Sequence, residues 1–326
     1  TKEKLDKLFP TIPVAVGRVD GHALLVNQAA IDLSNIKNNT KVSGGEIILK
    51  NGKMTGVLID AAMSFIKFPE TSKQEATQGL LDAQKISFSY GLTTIDDAGV
   101  NKKTIELIDS LQQVGSLKMR VYAMVSGDNQ KEIDYYINKG IVKTDRLNVR
   151  SFKVYGDGAL GSRGAAMRKP YSDRDNHFGA LIYSPKRYQE IAKQIAASEF
   201  QMNTHAIGDS ANTWLLKTYK DVLKDAKNRR WRIEHAQIIA PEDFDKFDNI
   251  LPSVQPTHAT SDMYWAEDRV GSKRIKGAYA YKNLLNKYGS IALGTDFPVE
   301  QVNPFLTFYA ATIRKDNNNY PKNGFQ

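Results

Sequence analysis

From residue 91 to residue 296 the chain alternates short apolar runs with longer amphipathic stretches. Gly91–Gly99 reads as a buried strand that ends in Asp96, Asp97 and a glycine. Residues 102–114 put Ile105, Leu107, Ile108 and Leu111 on one helical face. A strand over 119–125, a helix near 130–139 and a strand over 149–155 follow. A long loop runs from Gly158 through Pro170 and Asp173 to Gly179. Beyond it the pattern predicts helix 185–199, a strand ending at His205, helix 210–226 and a strand ending at His235. A short helix at 241–247, a strand over 251–258, a helix around 278–288 and a strand before Asp296 complete the series. Seven strand–helix units in succession predict an α/β fold, a parallel TIM (β/α)8-type barrel in preference to a doubly wound sheet. Closure takes eight strands. The barrel is therefore expected to be incomplete, with one strand placed before residue 1 and open sheet edges near residues 92 and 292.

The first ninety residues have a different rhythm and read as an insertion before the second barrel strand. Residues 1–10 suggest a helix end, and Ile12–Val16 a short strand, of which Val14–Val16 is a candidate to fill the open barrel edge. Asp20-Gly21 marks a turn, followed by an apolar helical run from Leu24 to Ile31 that includes Asn27. Arg18, Asp20 and His22 are either substrate-facing groups or a turn with one exposed histidine. Asn51-Gly52 between two apolar runs is a strong hairpin signal. Residues 60–90 read as helix, broken at Pro69. The expected division is an insertion over 1–90, a barrel over 91–313 and a polar tail over 314–326.

Composition removes several function classes. No apolar run approaches the roughly 18 residues of a membrane span. The first residues, Thr1–Asp6, are polar and of mixed charge, which is not a leader pattern. There is no cysteine, so a metal site would have to use imidazole, carboxylate or modified lysine. The net charge of +9 comes from scattered lysines, which argues for a solvated surface and against nucleic-acid binding. A cytoplasmic enzyme with a small-molecule substrate, free or as a homo-oligomer, is the expectation.

The polar residues at the strand ends carry the chemistry. Lys153, His205, His235 and Asp296 lie at the ends of four separate strands, and strand ends of a barrel converge on one mouth. One such histidine alone is more often a hydrogen-bonded structural residue. Two in matching phase, with an aspartate in the corresponding position, read as metal ligands. Alternation with Phe152 and Val154 turns Lys153 inward, although a lone strand lysine can equally snorkel. His258 follows one strand after His235. Asp157 and Arg163 either contact substrate or tie down the long loop as an ion pair. Asp209 is expected to cap the 210–226 helix, and Glu234 to support the site from behind. His177 reads as a surface loop residue.

Five ordered segments, Phe152–Ala166, Thr204–Asp209, Glu234–Gln237, Gln255–His258 and Gly294–Val299, together resemble the amidohydrolase superfamily. They are most similar to the metal-dependent hydrolase branch (amidohydrolase family 3) that includes N-substituted formamide deformylase. Arg18–His22 with Asn27 matches that branch's insertion. The resemblance implies hydrolysis of an amide or other non-peptide C–N bond by metal-activated water. It implies two divalent cations, zinc by expectation, bridged by a carboxylated Lys153. His205 and His235 would bind the second cation, and Asp296 would bind the first and shuttle the proton. His258 would polarise the carbonyl. His22, Asp157, Arg163 and Tyr264 would line the substrate pocket, with Tyr155, Phe178 and Trp265 beside a hydrophobic group. The branch's first barrel strand ends in His-X-His and its chain ends form a β-sandwich. Neither is found here, so an internal fragment, impaired in activity, is expected. A mononuclear deaminase and a non-catalytic binding module are the alternatives.

Overall fold

A computed structural model describes every residue except Asp225, Lys227 and Gln326. In chain order the N-terminal part holds α1 (Glu3–Leu8), β1 (Ala15–Gly17), β2 (Ala23–Val26), α2 (Gln28–Leu33), β3 (Gly45–Lys50) and β4 (Lys53–Asp60), then a 3-10 turn at Ala61–Phe65 and α3 (Lys73–Ser89). The strands form an antiparallel sheet in the order β1-β2-β4-β3. The hairpin turns at Asn51-Gly52, as its sequence demands. Ala15–Gly17 pairs with Leu24–Val26 inside this sheet, so it does not fill the barrel edge.

The apolar run Leu24–Ile31 is not one helix. It divides at Asn27, which ends β2 and caps α2. The buried Asn27 carboxamide satisfies all its strong hydrogen-bonding groups locally. Its Oδ1 accepts from the Val14 and Ala30 amides at 2.9 and 3.0 Å, and its Nδ2 donates to the Phe9 and Ile12 carbonyls at 2.8 Å each. That demand outweighs the helical periodicity of the surrounding residues. Pro69 keeps the next helix from starting early; α3 begins after Ser72, which forms a capping box with Glu75. Leu80 and Leu81 of α3 pack on the barrel core.

The barrel part holds β5 (Thr94–Val100), α4 (Lys102–Gln113), β6 (Arg120–Ser126), α5 (Gln130–Lys139), β7 (Val142–Lys143), β8 (Leu147–Tyr155), α6 (Pro185–Ala196), β9 (Gln201–Ala206), α7 (Asp209–Leu223), β10 (Arg232–His235), β11 (Leu251–Val254), α8 (Pro256–Asp262), α9 (Ala266–Arg274), α10 (Tyr281–Tyr288), β12 (Ala292–Leu293) and α11 (Pro304–Ile313). Seven strands run parallel in the order β12-β11-β10-β9-β8-β6-β5, a curled sheet of the incomplete (β/α)8 type; β7 adds an antiparallel pair to β8. The end of the expected 210–226 helix touches residue 225, outside the described residues. Among those described, α7 ends at Leu223. Its cap is Gly208, not Asp209; Asp209 is the first helical residue and accepts the Arg168 amide at 2.8 Å.

The main core lies between the sheet and its helices. Phe152 and Val154 of β8 face this layer with Ile108, Tyr188, Ile191 and Leu215. By strand alternation, Ser151, Lys153 and Tyr155 then face the barrel interior. The polar tail is folded rather than loose: Phe325 packs on Tyr279, and Arg314 donates to the Phe325 carbonyl at 2.6 Å. Residue 326 of that tail lies outside the described residues. No helix among them is long and apolar enough to cross a membrane.

Candidate metal centre

The strand register carries the expected side chains to one rim. Tyr155 of β8 pairs with His205 of β9, and His205 pairs with Glu234 of β10. His205 therefore shares the inward face with Lys153 and Tyr155. His235 is one residue out of that phase, so the match expected from the sequence does not hold. The backbone corrects it: β10 ends as His235 and Ala236 take φ of 70° and 42°. This left-handed bend is costly for residues with a side chain. It swings the imidazole to within 4.5 Å of the His205 ring, centroid to centroid. Asp296, with φ of 57°, is another positive-φ residue at the rim.

His258 does not lie on a strand. It sits in the first turn of α8, its ring 5.9 Å from that of His235. Its Nε2 faces Asp296 Oδ2 at 3.2 Å and its Nδ1 faces Glu300 Oε1 at 3.1 Å. Both partners are acceptors, so both ring nitrogens are donors. Burial alone would lower its pKa, but the two carboxylates raise it to about 10. Glu300 also accepts from Ser261 Oγ at 2.6 Å. Asp296 is held well below the usual carboxylate range: burial opposes ionisation, while His258, His235 and Lys153 outweigh it.

The other two histidines are held neutral. Burial, with neighbouring cationic groups, drives His205 well below its ordinary value. Burial and the nearby His258 and Lys153 push His235 down to about 3, against the pull of Asp296. His205 Nε2 and His235 Nδ1 are fully buried and lack a hydrogen-bond partner. Buried nitrogens of that kind are costly unless something satisfies them. Donor atoms of His235, His258 and Asp296 all lie within 4.8 Å of one another. Lys153 is buried, forms no ion pair among the described residues, and puts its Nζ 4.1 Å from the Tyr155 ring centre. Neutral imidazoles beside an ionised carboxylate fit a divalent cation; Lys153 would join them only in a modified, uncharged or anionic form.

Other expected site residues are used differently. Asp157 is fully buried, and accepts the amides of Ala166, Ile207 and Gly208 at 2.8, 3.0 and 2.8 Å. Burial pushes its carboxyl up to about 7 against those amides and His22, which pull it down. It pins the long loop behind His205, whose Nε2 is 3.5 Å away, and has no surface left for a substrate. Arg163 does not pair with it; the guanidinium grips Asp173 at 3.0 and 2.7 Å. His177 Nε2 donates to the Arg163 carbonyl at 2.8 Å within the same loop. Tyr264 is exposed, stacks on Tyr320 and donates to Asp316 at 2.5 Å, so the tail occupies its polar end. Arg18 pairs with Asp20, while His22 reaches the rim, its ring 5.2 Å from His205. Sequence reasoning missed Glu300 and Asp60. The only signal for Glu300 was its place one turn beyond Asp296; nothing marked Asp60.

Residues 1–324 match the amidohydrolase family. The chain is similar to Protein LONG AFTER FAR-RED 3 of Arabidopsis thaliana, with 31% identity over 95% of this chain and 57% of that protein. It is also similar to the N-substituted formamide deformylase of Arthrobacter pascens, with 25% identity over 73% of this chain and 46% of the enzyme. Among solved structures, an uncharacterized metal-dependent hydrolase of Pyrococcus horikoshii OT3 matches with a TM-score of 0.75 and 26% identity. That match covers 96% of this chain and 62% of the archaeal one. The chain thus spans roughly half to three fifths of each of these relatives.

Proposed function

The chain belongs to the amidohydrolase family, and we propose that it hydrolyses an amide or other non-peptide C–N bond of a small organic molecule. The observation that carries this reading is the rim cluster. His205 and His235 offer buried nitrogens without partners, beside an ionised Asp296. His205, His235, Asp296 and a carboxylated Lys153 would hold divalent cations, zinc by preference for imidazole and carboxylate. When bound, such a cation supplies Lewis acidity, lowering the pKa of water to about 7 and polarising a carbonyl.

The protein's own groups divide the remaining work. Asp296 accepts the proton of the attacking water and returns it to the leaving nitrogen. His258 donates through both nitrogens, to Asp296 and Glu300; its Nε2–H would polarise the carbonyl only once Asp296 releases it. Tyr155 gives the mouth an apolar wall beside Lys153 and His205. The deformylase likeness points to N-substituted formamides as the first substrates to assay.

A mononuclear site is the second reading, favoured by the close approach of the His235 and Asp296 donor atoms; His258 would join them only on losing a proton. The test for both is zinc content measured alongside hydrolysis of N-formyl and N-acyl amines. Two zinc ions per chain with release of amine supports the binuclear hydrolase, and one supports the mononuclear form. Neither zinc nor turnover removes both.

A further inference from the structure

Gln255 joins β11 to α8 and is the last extended residue before Pro256 turns the chain into helix, with φ of −121°. Its backbone carbonyl is held twice, accepting the His258 amide at 3.0 Å and the Tyr281 hydroxyl at 3.1 Å. Its side chain is held by no such bond. The residue is 7% exposed, and its Oε1 is buried without a partner. Its Nε2 makes no hydrogen bond among the described residues either. A buried carboxamide left unmet is costly, and a ligand that meets it recovers that cost.

Strand register decides where the carboxamide points. Ser253 pairs with Glu234 and Glu234 with His205, so Ser253 shares the inward face. Val254 packs in the helix layer, and Gln255, two residues beyond Ser253, turns back toward the barrel mouth. Ser253 and Val254 pair with Ala292 and Leu293, which brings Gln255 level with Gly294. Outside its own chain neighbours, a Cβ built on Gly294 would meet only Gln255 Nε2, at 4.0 Å. The Nε2–H groups therefore border open space, two residues before Asp296. The other nitrogens of the rim are committed. His258 donates to Asp296 and Glu300, and His22 Nδ1 faces Asp60 Oδ1 at 2.6 Å. From this we infer that Gln255 is a further catalytic residue, whose Nε2–H donates to the carbonyl oxygen of the scissile amide. That bond strengthens as the oxygen gains charge. Gly294, without a side chain, leaves the room for it. This rests on the hydrolase reading for the identity of the ligand, but not for the free donor or its binding of a carbonyl.

The experiment uses the zinc-equilibrated chain, with N-butylacetamide as substrate and 2-heptanone as its uncleavable counterpart, a methylene replacing the N–H. Carbon-13 in the ketone carbonyl lets infrared difference spectroscopy read the hydrogen bond. Gln255→Met keeps the length of the side chain and removes both donated protons. It should lower kcat about 100- to 1,000-fold, with KM moving less and zinc content unchanged. The ketone carbonyl band should lie at lower frequency in the unaltered chain than in Gln255→Met. The urea unfolding midpoint should not fall, because no bond within the protein is lost; a carboxamide with a structural role would lower it. Gln255→Glu also removes the donors and should repeat the kcat and band changes, a check should Gln255→Met not fold. An unchanged band or an unchanged kcat in these variants overturns the inference. A band shift without turnover by the unaltered chain leaves the inference standing and removes the hydrolase reading; turnover that neither variant alters does the reverse. A chain that neither binds the ketone nor cleaves the amide overturns both.

Discussion

Replacing Asp157 with alanine tests whether this carboxylate is an anchor or a substrate contact. Its two oxygens accept three backbone amides, those of Ala166, Ile207 and Gly208, in a fully buried position. Alanine leaves three buried donors unmet, at about 1–3 kcal/mol each. Water entering the small space offsets part of this, so a loss of about 4 kcal/mol is expected. The milder change Asp157→Asn keeps an oxygen for Ala166 and Gly208, both of which donate to Oδ2, and turns its amide against Ile207. One lost bond of three sets the cost of Asp157→Asn at about 2 kcal/mol. Urea unfolding read by circular dichroism measures both. A loss below about 1 kcal/mol for Asp157→Ala, or equal losses for the two variants, would refute the anchoring argument. A change confined to KM would restore the substrate contact.

Two other substitutions follow from the hydrogen bonds. Asn27→Ala removes two accepted and two donated bonds in the insertion sheet, and should destabilise it by about 3 kcal/mol; hydrogen exchange should show the loss in β1, β2 and α2 with the barrel unchanged. Glu300→Gln weakens the fixing of His258 while leaving the rim donors in place. It should lower kcat about 10- to 100-fold with zinc content and unfolding midpoint nearly unchanged; a variant with normal kcat would show that His258 is held by Asp296 alone.

The barrel was legible because its strands read as apolar runs and its helices as clean 3.6-residue faces. The Asn51-Gly52 hairpin was legible because the turn chemistry is local. The run Leu24–Ile31 misled because one buried carboxamide, Asn27, decides where the strand stops, and its partners Phe9, Ile12 and Val14 lie upstream. His205, His235 and Asp296 stood out by their places at strand ends. The route by which His235 joins them did not, because it depends on a left-handed bend that periodicity does not encode. His258 reads as a strand end, but Pro256 starts a helix first. Asp60 and Glu300 were missed because each acts through a histidine far away in sequence. Arg163 has a carboxylate six residues upstream in Asp157, yet it reaches forward to Asp173 because backbone amides already hold Asp157. Tyr264 went astray because a tail with no strong pattern, through Asp316 and Tyr320, folds back onto it.

Binding of divalent cations at the rim by His205, His235 and Asp296 underlies every step of the proposed chemistry. Zinc retained per chain after equilibration and gel filtration, measured by plasma mass spectrometry, tests it most directly. Stoichiometric zinc is expected in the unaltered chain, and loss of most of it in His235→Ala, with the fold intact by circular dichroism. An unaltered chain that retains no zinc, or a His235→Ala chain that retains as much, would contradict it.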